Sequence, residues 1–168
     1  MKKPFLIVML FFISIYSGYS QTAKIYTDNG KSKFAINEFV GAIRDYNEAI
    51  KLNPKYVKAY LCRSEAKFKL EDYHGAIEDL NMVIEIEPIN GYAYSCRGKA
   101  KSALEDFYGS IDDLTKAIKF DPKDAQSYCL RGFVKITLGQ KEGGCLDLSK
   151  AGELGYVKAY DAIQKFCH

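Results

Sequence analysis

Prolines stand at positions 54, 88 and 122, each 34 residues after the last. A fixed period of that length means one structural unit used several times, and it constrains the fold more than any single residue does. Other columns keep the same step. Tyr26, Tyr60, Tyr94 and Tyr128 are in register, and Tyr160 is nearly so. Ile43, Ile77 and Ile111 are followed by Cys145. Ala42, Ala76, Ser110 and Gly144 form a small column, and Asp45, Asp79, Asp113 and Asp147 an acidic one. Arg63, Arg97 and Arg131 form a basic column, each followed by a small residue, Ser64, Gly98 or Gly132.

Within the unit GYAYSCRGKAKSALEDFYGSIDDLTKAIKFDPKD, the apolar residues recur with helical spacing twice over. Tyr94, Ala100 and Leu104 make one stripe, and Phe107, Ile111, Leu114 and Ile118 another. A turn at Glu105-Asp106 separates them. Pro122 closes the second helix, because the residue before proline is pushed out of the α region and proline cannot continue the hydrogen-bond ladder. Each unit therefore reads as a helical hairpin. One hairpin cannot bury its apolar face alone, so stacked neighbours must supply a continuous core, with the small column letting helix backbones approach.

These residues resemble the tetratricopeptide repeat. Its pattern of an early aromatic, a small residue four places on, an alanine in the second helix and a closing proline matches Tyr60, Ser64, Ala76 and Pro88. It matches again at Tyr94, Gly98, Ser110, Leu114, Ala117 and Pro122. The unit at 23–56 fits through Tyr26, Gly30, Phe39, Ala42, Tyr46, Ala49 and Pro54; the unit at 125–156 keeps Tyr128, Gly132, Leu148 and Ala151 but lacks the proline. The resemblance implies an all-α fold: a right-handed superhelical solenoid of four hairpins, at 23–56, 57–90, 91–124 and 125–156. A capping helix at 157–167 would complete one domain over 23–168. The segment VKAYDAIQKFC in that cap repeats the start of VKAYLCRSEAKF, a first helix without its partner.

The opening MKKPFLIVMLFFISIYSGYSQ carries two lysines, an apolar run and then small residues, the layout of a secretory signal peptide over residues 1–20. The run is short against the ~20 residues of a bilayer span; an uncleaved membrane anchor is the alternative. No cysteine follows it, so lipidation is not indicated. The expected place for the protein is thus outside the cytoplasm: periplasmic, envelope-associated or secreted. The formal charge is +3, and without Lys2 and Lys3 it leaves 22 basic against 21 acidic side chains. That balance gives no electrostatic case for nucleic acid.

In the resembled family the first helix of each hairpin lines a concave groove that holds peptides. Carried over, the lining is Lys24, Thr27, Lys31 and Phe34, then Lys58, Leu61, Glu65 and Phe68. Tyr92, Ser95 and Lys99 follow, with Gln126 and Phe133 last. Apolar anchors among lysines suit a polypeptide partner with hydrophobic and some acidic side chains. Some relatives clamp a chaperone's terminal carboxylate with lysine, arginine and asparagine at places held here by Thr27, Lys31, Cys62, Tyr92 and Cys96; only Lys31 fits, so that reading fails. The aspartate and arginine columns suggest a ladder between successive hairpins, Asp45 to Arg63, Asp79 to Arg97 and Asp113 to Arg131.

Five cysteines in an exported chain suggest disulfides. Cys62 and Cys96 are equivalents on packed helices, ~8–10 Å apart and beyond bridging reach. Cys145 stands where the other units carry an isoleucine facing the next helix. Here that helix is the cap, with Cys167 near its end. Paired cysteines of this kind resemble those of exported bacterial tetratricopeptide proteins that end in a comparable segment, which implies a bridge holding the cap. Free thiols, or a zinc or nucleophile site with His168, remain the alternatives; zinc would need a fourth ligand, and a nucleophile would need an orienting group. With no phosphate loop or paired-carboxylate motif either, the reading is a non-enzymatic module that binds a partner polypeptide and needs no cofactor or metal. The alternative is a structural or self-associating solenoid, a homo-oligomer with its groove filled by a neighbouring copy.

Overall fold

The computed structural model describes residues 20–167. The expected signal segment lies outside the described residues apart from Ser20, and His168 lies outside them too. The described residues are all-α, with helices joined by short turns and no strand. They divide into two compact units, the first ending at Glu71 and the second beginning at Asp72. This division falls inside the second expected repeat. The first unit holds α1 (residues 20–35), α2 (Phe39–Leu52) and α3 (Val57–Lys69). The second holds α4 (Tyr73–Ile86), α5 (Gly91–Ala103), α6 (Phe107–Phe120), α7 (Ala125–Thr137), α8 (Lys141–Glu153) and α9 (Lys158–Phe166).

The turns repeat as faithfully as the helices. Asn37, Glu71, Glu105 and Gly139 have φ of 63°, 61°, 62° and 78°, left-handed residues 34 apart at the ends of α1, α3, α5 and α7. After α5, Glu105 N–H donates to Ser102 O at 3.1 Å and Asp106 N–H to Lys101 O at 2.9 Å. This bond pair consumes carbonyls that the helix end leaves open and reverses the chain within three residues. Asp106 then caps α6 by accepting from Gly109 N–H at 3.0 Å, as Asp72 caps α4 through Gly75 N–H at 2.9 Å. The second helices stop just before proline: Asn53, Glu87 and Asp121 leave the helical region with ψ of 91°, 81° and 91°.

Small residues set how close the helices come. Ala42, Ala76 and Ser110 are at most 1 % exposed. Ser110 Oγ is buried without a hydrogen-bond partner, so it is the size of this residue that suits the site. Between α7 and α8 the backbones touch: a Cβ at Gly132 would lie 2.8 Å from Gly144 O and 3.0 Å from Leu148 Cγ.

The charged columns do meet, but not as the sequence suggested. Arg97 donates to both carboxylate oxygens of Asp113, at 2.8 and 2.7 Å, and Arg131 to both of Asp147, at 2.9 and 2.7 Å. These partners belong to one hairpin rather than to successive ones. Lys101 and Lys135 reach the same carboxylates at 2.8 Å each. In the first unit Asp45 pairs with Lys33 at 2.7 Å, and Asn29 takes the place an arginine has elsewhere. Neighbouring hairpins are joined instead through uncharged groups. Arg63 donates to Asn47 Oδ1 at 2.6 Å, Arg97 to Asn81 Oδ1 at 2.6 Å and Arg131 to Thr115 Oγ1 at 3.0 Å. The reason is rotational: Thr115 lies two positions past Asp113, about 200° around α6, so the two face α7 and α5 respectively. Each arginine also lies over a tyrosine ring, Tyr60, Tyr94 or Tyr128, at 5.3–5.6 Å.

Burial alone would push the Asp113 carboxyl up, but the hydrogen bonds and charges of Arg97 and Lys101 overcome it and hold it below the usual aspartate value. Stability from this ionised form is present above the unfolded aspartate pKa and lost as pH falls through the lower, folded one. Asp113→Asn should cost about 3 kcal/mol at neutral pH, because Arg97 and Lys101 lose their counter-charge, and should flatten the acid limb of a urea-denaturation pH series. Gly132→Ala should cost about 1–3 kcal/mol by forcing α7 and α8 apart, measured by the shift in denaturation midpoint.

Candidate interaction surfaces

In the first unit the lining residues come from α1 and α3. Phe34 packs with Cys62 against the cluster of Ala42, Tyr46 and Ala66. Leu61 and Phe68 are half-buried, while Lys24, Lys58 and Glu65 are exposed. Thr27 is a correction to the expected lining. It is fully buried, and its hydroxyl donates back to Ala23 O at 2.9 Å, so it presents no surface. The threonine sits on the same stripe as Ala23, which turns it inward.

Lys31 of α1 and Lys58 of α3 lie within each other's electrostatic reach, a relation the sequence does not reveal because 27 positions and two turns separate them. The neighbouring Lys58, followed by partial burial, holds Lys31 below the usual lysine range, with Cys62 and Asp28 acting in the opposite direction. Two ammonium groups in reach of each other form a place where a negative charge is stabilised. Cys62 lies in the field of both lysines. Burial nevertheless dominates and pushes its thiol up, so it stays protonated and is not an activated nucleophile.

In the second unit α5 and α7 supply the face. Ser95 and Ser127 hydroxyls lie 2.6 Å apart and join the two helices, and Ser127 is fixed in turn by Asp124, the α7 cap. Tyr92 is 60 % exposed and Phe133 37 %. Lys99 and Gln126 are exposed, and Ser95 is half-buried. Phe133 meets Phe166 of α9 edge-on, with ring centroids 6.1 Å apart.

Cys145 of α8 and Cys167 at the end of α9 are joined in a disulfide, with Cα atoms 5.7 Å apart. Neither sulfur is available as a metal ligand or nucleophile while the bridge stands. Cys129 is buried, and burial raises its pKa. No group of three or more histidine, cysteine or acidic side chains able to hold a metal occurs among the described residues. No helix among them is long and apolar enough to cross a membrane.

A family model described as TPR repeat matches residues 30–71. The crystal structure of MamA protein is similar at 27% identity and TM-score 0.78, covering 85% of this chain and 79% of that one. Residues 30–71 thus carry a tetratricopeptide (TPR) repeat, and the described residues share the TPR fold. Among further similar structures is the first TPR of Spaghetti (RPAP3) bound to HSP90 peptide SRMEEVD, at 22% identity and TM-score 0.70, covering 71% of this chain and 95% of that one. Another is TTC0263, a thermophilic TPR protein in Thermus thermophilus, at 19% identity and TM-score 0.71, covering 84% and 82%. No curated protein sequence matches this chain.

Proposed function

We propose that this protein is a non-enzymatic interaction module that holds a partner polypeptide with acidic and apolar side chains against its first-helix faces. The observation that carries the reading is the Lys31–Lys58 pair, two cations in each other's field on first helices, one of which also carries the half-buried Leu61 and Phe68. A carboxylate placed between them would relieve their repulsion and gain charge-assisted hydrogen bonds. The solved complex of a similar TPR with a peptide supports the general mode. The clamp positions differ here, so the ligand is read as an internal acidic segment rather than a chain terminus.

Export through residues 1–20 belongs to the same proposal. A bridge between Cys145 and Cys167 suits an oxidising compartment, where such bonds persist. The protein isolated from envelope fractions should begin near Gln21, read as an intact mass; retention of Met1 would place it on an uncleaved anchor.

The test is crosslinked capture from envelope fractions with the mature protein and a Lys31→Gln/Lys58→Gln variant, followed by titration of the captured partner. Loss of two charge-assisted hydrogen bonds should weaken binding by about tenfold or more. The same catch from both proteins, with a concentration-dependent oligomer in light scattering, would move the reading to self-association.

The pair also fixes a pH signature. An acidic partner binds when both amines are protonated, and Lys31 loses its proton below the usual lysine range. Affinity should therefore fall as pH rises through the lowered Lys31 pKa and lose that dependence in Lys31→Gln, measured by fluorescence anisotropy between neutral pH and pH about 10.

A further inference from the structure

The last helix differs from the other first helices in how it is held. Val157-Lys158-Ala159-Tyr160 repeats Val57-Lys58-Ala59-Tyr60, so the positions of α9 can be matched to those of α3. Ile163 then stands in the place of Arg63, Gln164 in that of Ser64 and Cys167 in that of Lys67. In α5 and α7 the equivalent arginine and lysine tie the helix to an aspartate, and the arginine also reaches back to the preceding hairpin. Substitution has removed each of those side chains from α9.

What remains is modest. Ala159 and Ala162 are buried with Cys129, Leu148 and Ala151; Ile163, Phe166 and Cys167 pack at the edge of this cluster. Tyr160 donates to Gly152 O at 3.1 Å. Val157 is 74 % exposed, and Asp161, Gln164 and Lys165 face solvent. The helix has nine residues, fewer than the ~12–15 at which isolated helices become even marginal. The covalent bond from Cys167 to Cys145 of α8 thus supplies the tether that charged side chains supply elsewhere, and both cysteines are only half-buried.

We propose that α9 is a redox-latched lid: the Cys145–Cys167 bond holds it over the apolar face of α7 and α8, and reduction lets it swing away. The reductant is a small dithiol. Its two S–H groups are oxidised to a disulfide as two electrons and two protons convert the bridge to two thiols. Opening uncovers Cys129 and Leu148 and removes Phe166 from the edge of Phe133, so the redox state sets how much apolar surface α7 shows. The remaining helices keep their arginine and lysine ties, so opening is confined to α9. This inference stands apart from the identity of any partner.

Cys129 is the internal reporter, because it is 5 % exposed beneath α9. Its alkylation by iodoacetamide would be followed by peptide mass spectrometry in the oxidised protein, in dithiol-reduced protein and in Cys145→Ser/Cys167→Ser. The thiol of half-buried Cys96 on α5 serves as control. The expected result is a Cys129 rate about tenfold or more above that of the oxidised protein in both reduced protein and variant, with Cys96 unchanged, as local opening requires. An unchanged Cys129 rate overturns the proposal, since α9 then stays docked without the bridge. A parallel rise at Cys96 overturns it too, because the bond would then be holding the unit as a whole.

Discussion

Two helices whose backbones come within contact of each other leave no room for side chains between them, and much of this structure follows from that restriction. At the α7–α8 crossing even a methyl group at Gly132 would meet the carbonyl of Gly144. The same restriction explains why the column of Ala42, Ala76, Ser110 and Gly144 is small, and why Ser110 is kept although its hydroxyl finds no partner. Close crossing brings the middle of each first helix opposite the middle of its second helix. That juxtaposition makes the bidentate pairs of Arg97 with Asp113 and Arg131 with Asp147 geometrically available.

The arginine then does more than neutralise an aspartate. Its planar, multi-donor head serves its own hairpin through the carboxylate and the preceding one through Asn81 or Thr115, while its face lies on a tyrosine. Lysine has neither the fork nor the flat face to do this. Register along the stack is thereby specified by directional bonds, whereas apolar burial alone would tolerate sliding. In α9 the arginine gives way to isoleucine, and the outer face turns polar at Asp161, Gln164 and Lys165. An open-ended stack needs such a closing surface.

Much of the architecture was legible in the chain, because a repeat multiplies every local signal. The prolines marked where second helices stop, and the apolar stripes marked two helices per unit. The left-handed residues at Glu71 and Glu105 were less visible, since only Asn37 and Gly139 carry residue types that such a conformation favours. The surfaces were legible as a set of positions and not as an arrangement. Thr27 shares a helix with Lys24 and Lys31, yet the turn of α1 takes it into the core.

What the sequence by itself determined is therefore whatever repeats: helix lengths, turn positions, the small column and the charged columns. Period and local chemistry suffice for these, because each unit reports on the others. What only the tertiary structure decided is which side chains meet. The direction of the aspartate–arginine pairs depends on which face of α6 looks toward α5, an angle that residue spacing along the chain does not contain. The proximity of Lys31 to Lys58 depends equally on the packing of α1 beside α3. Periodicity places residues on helices, but the rotation of one helix against its neighbour selects the contacts.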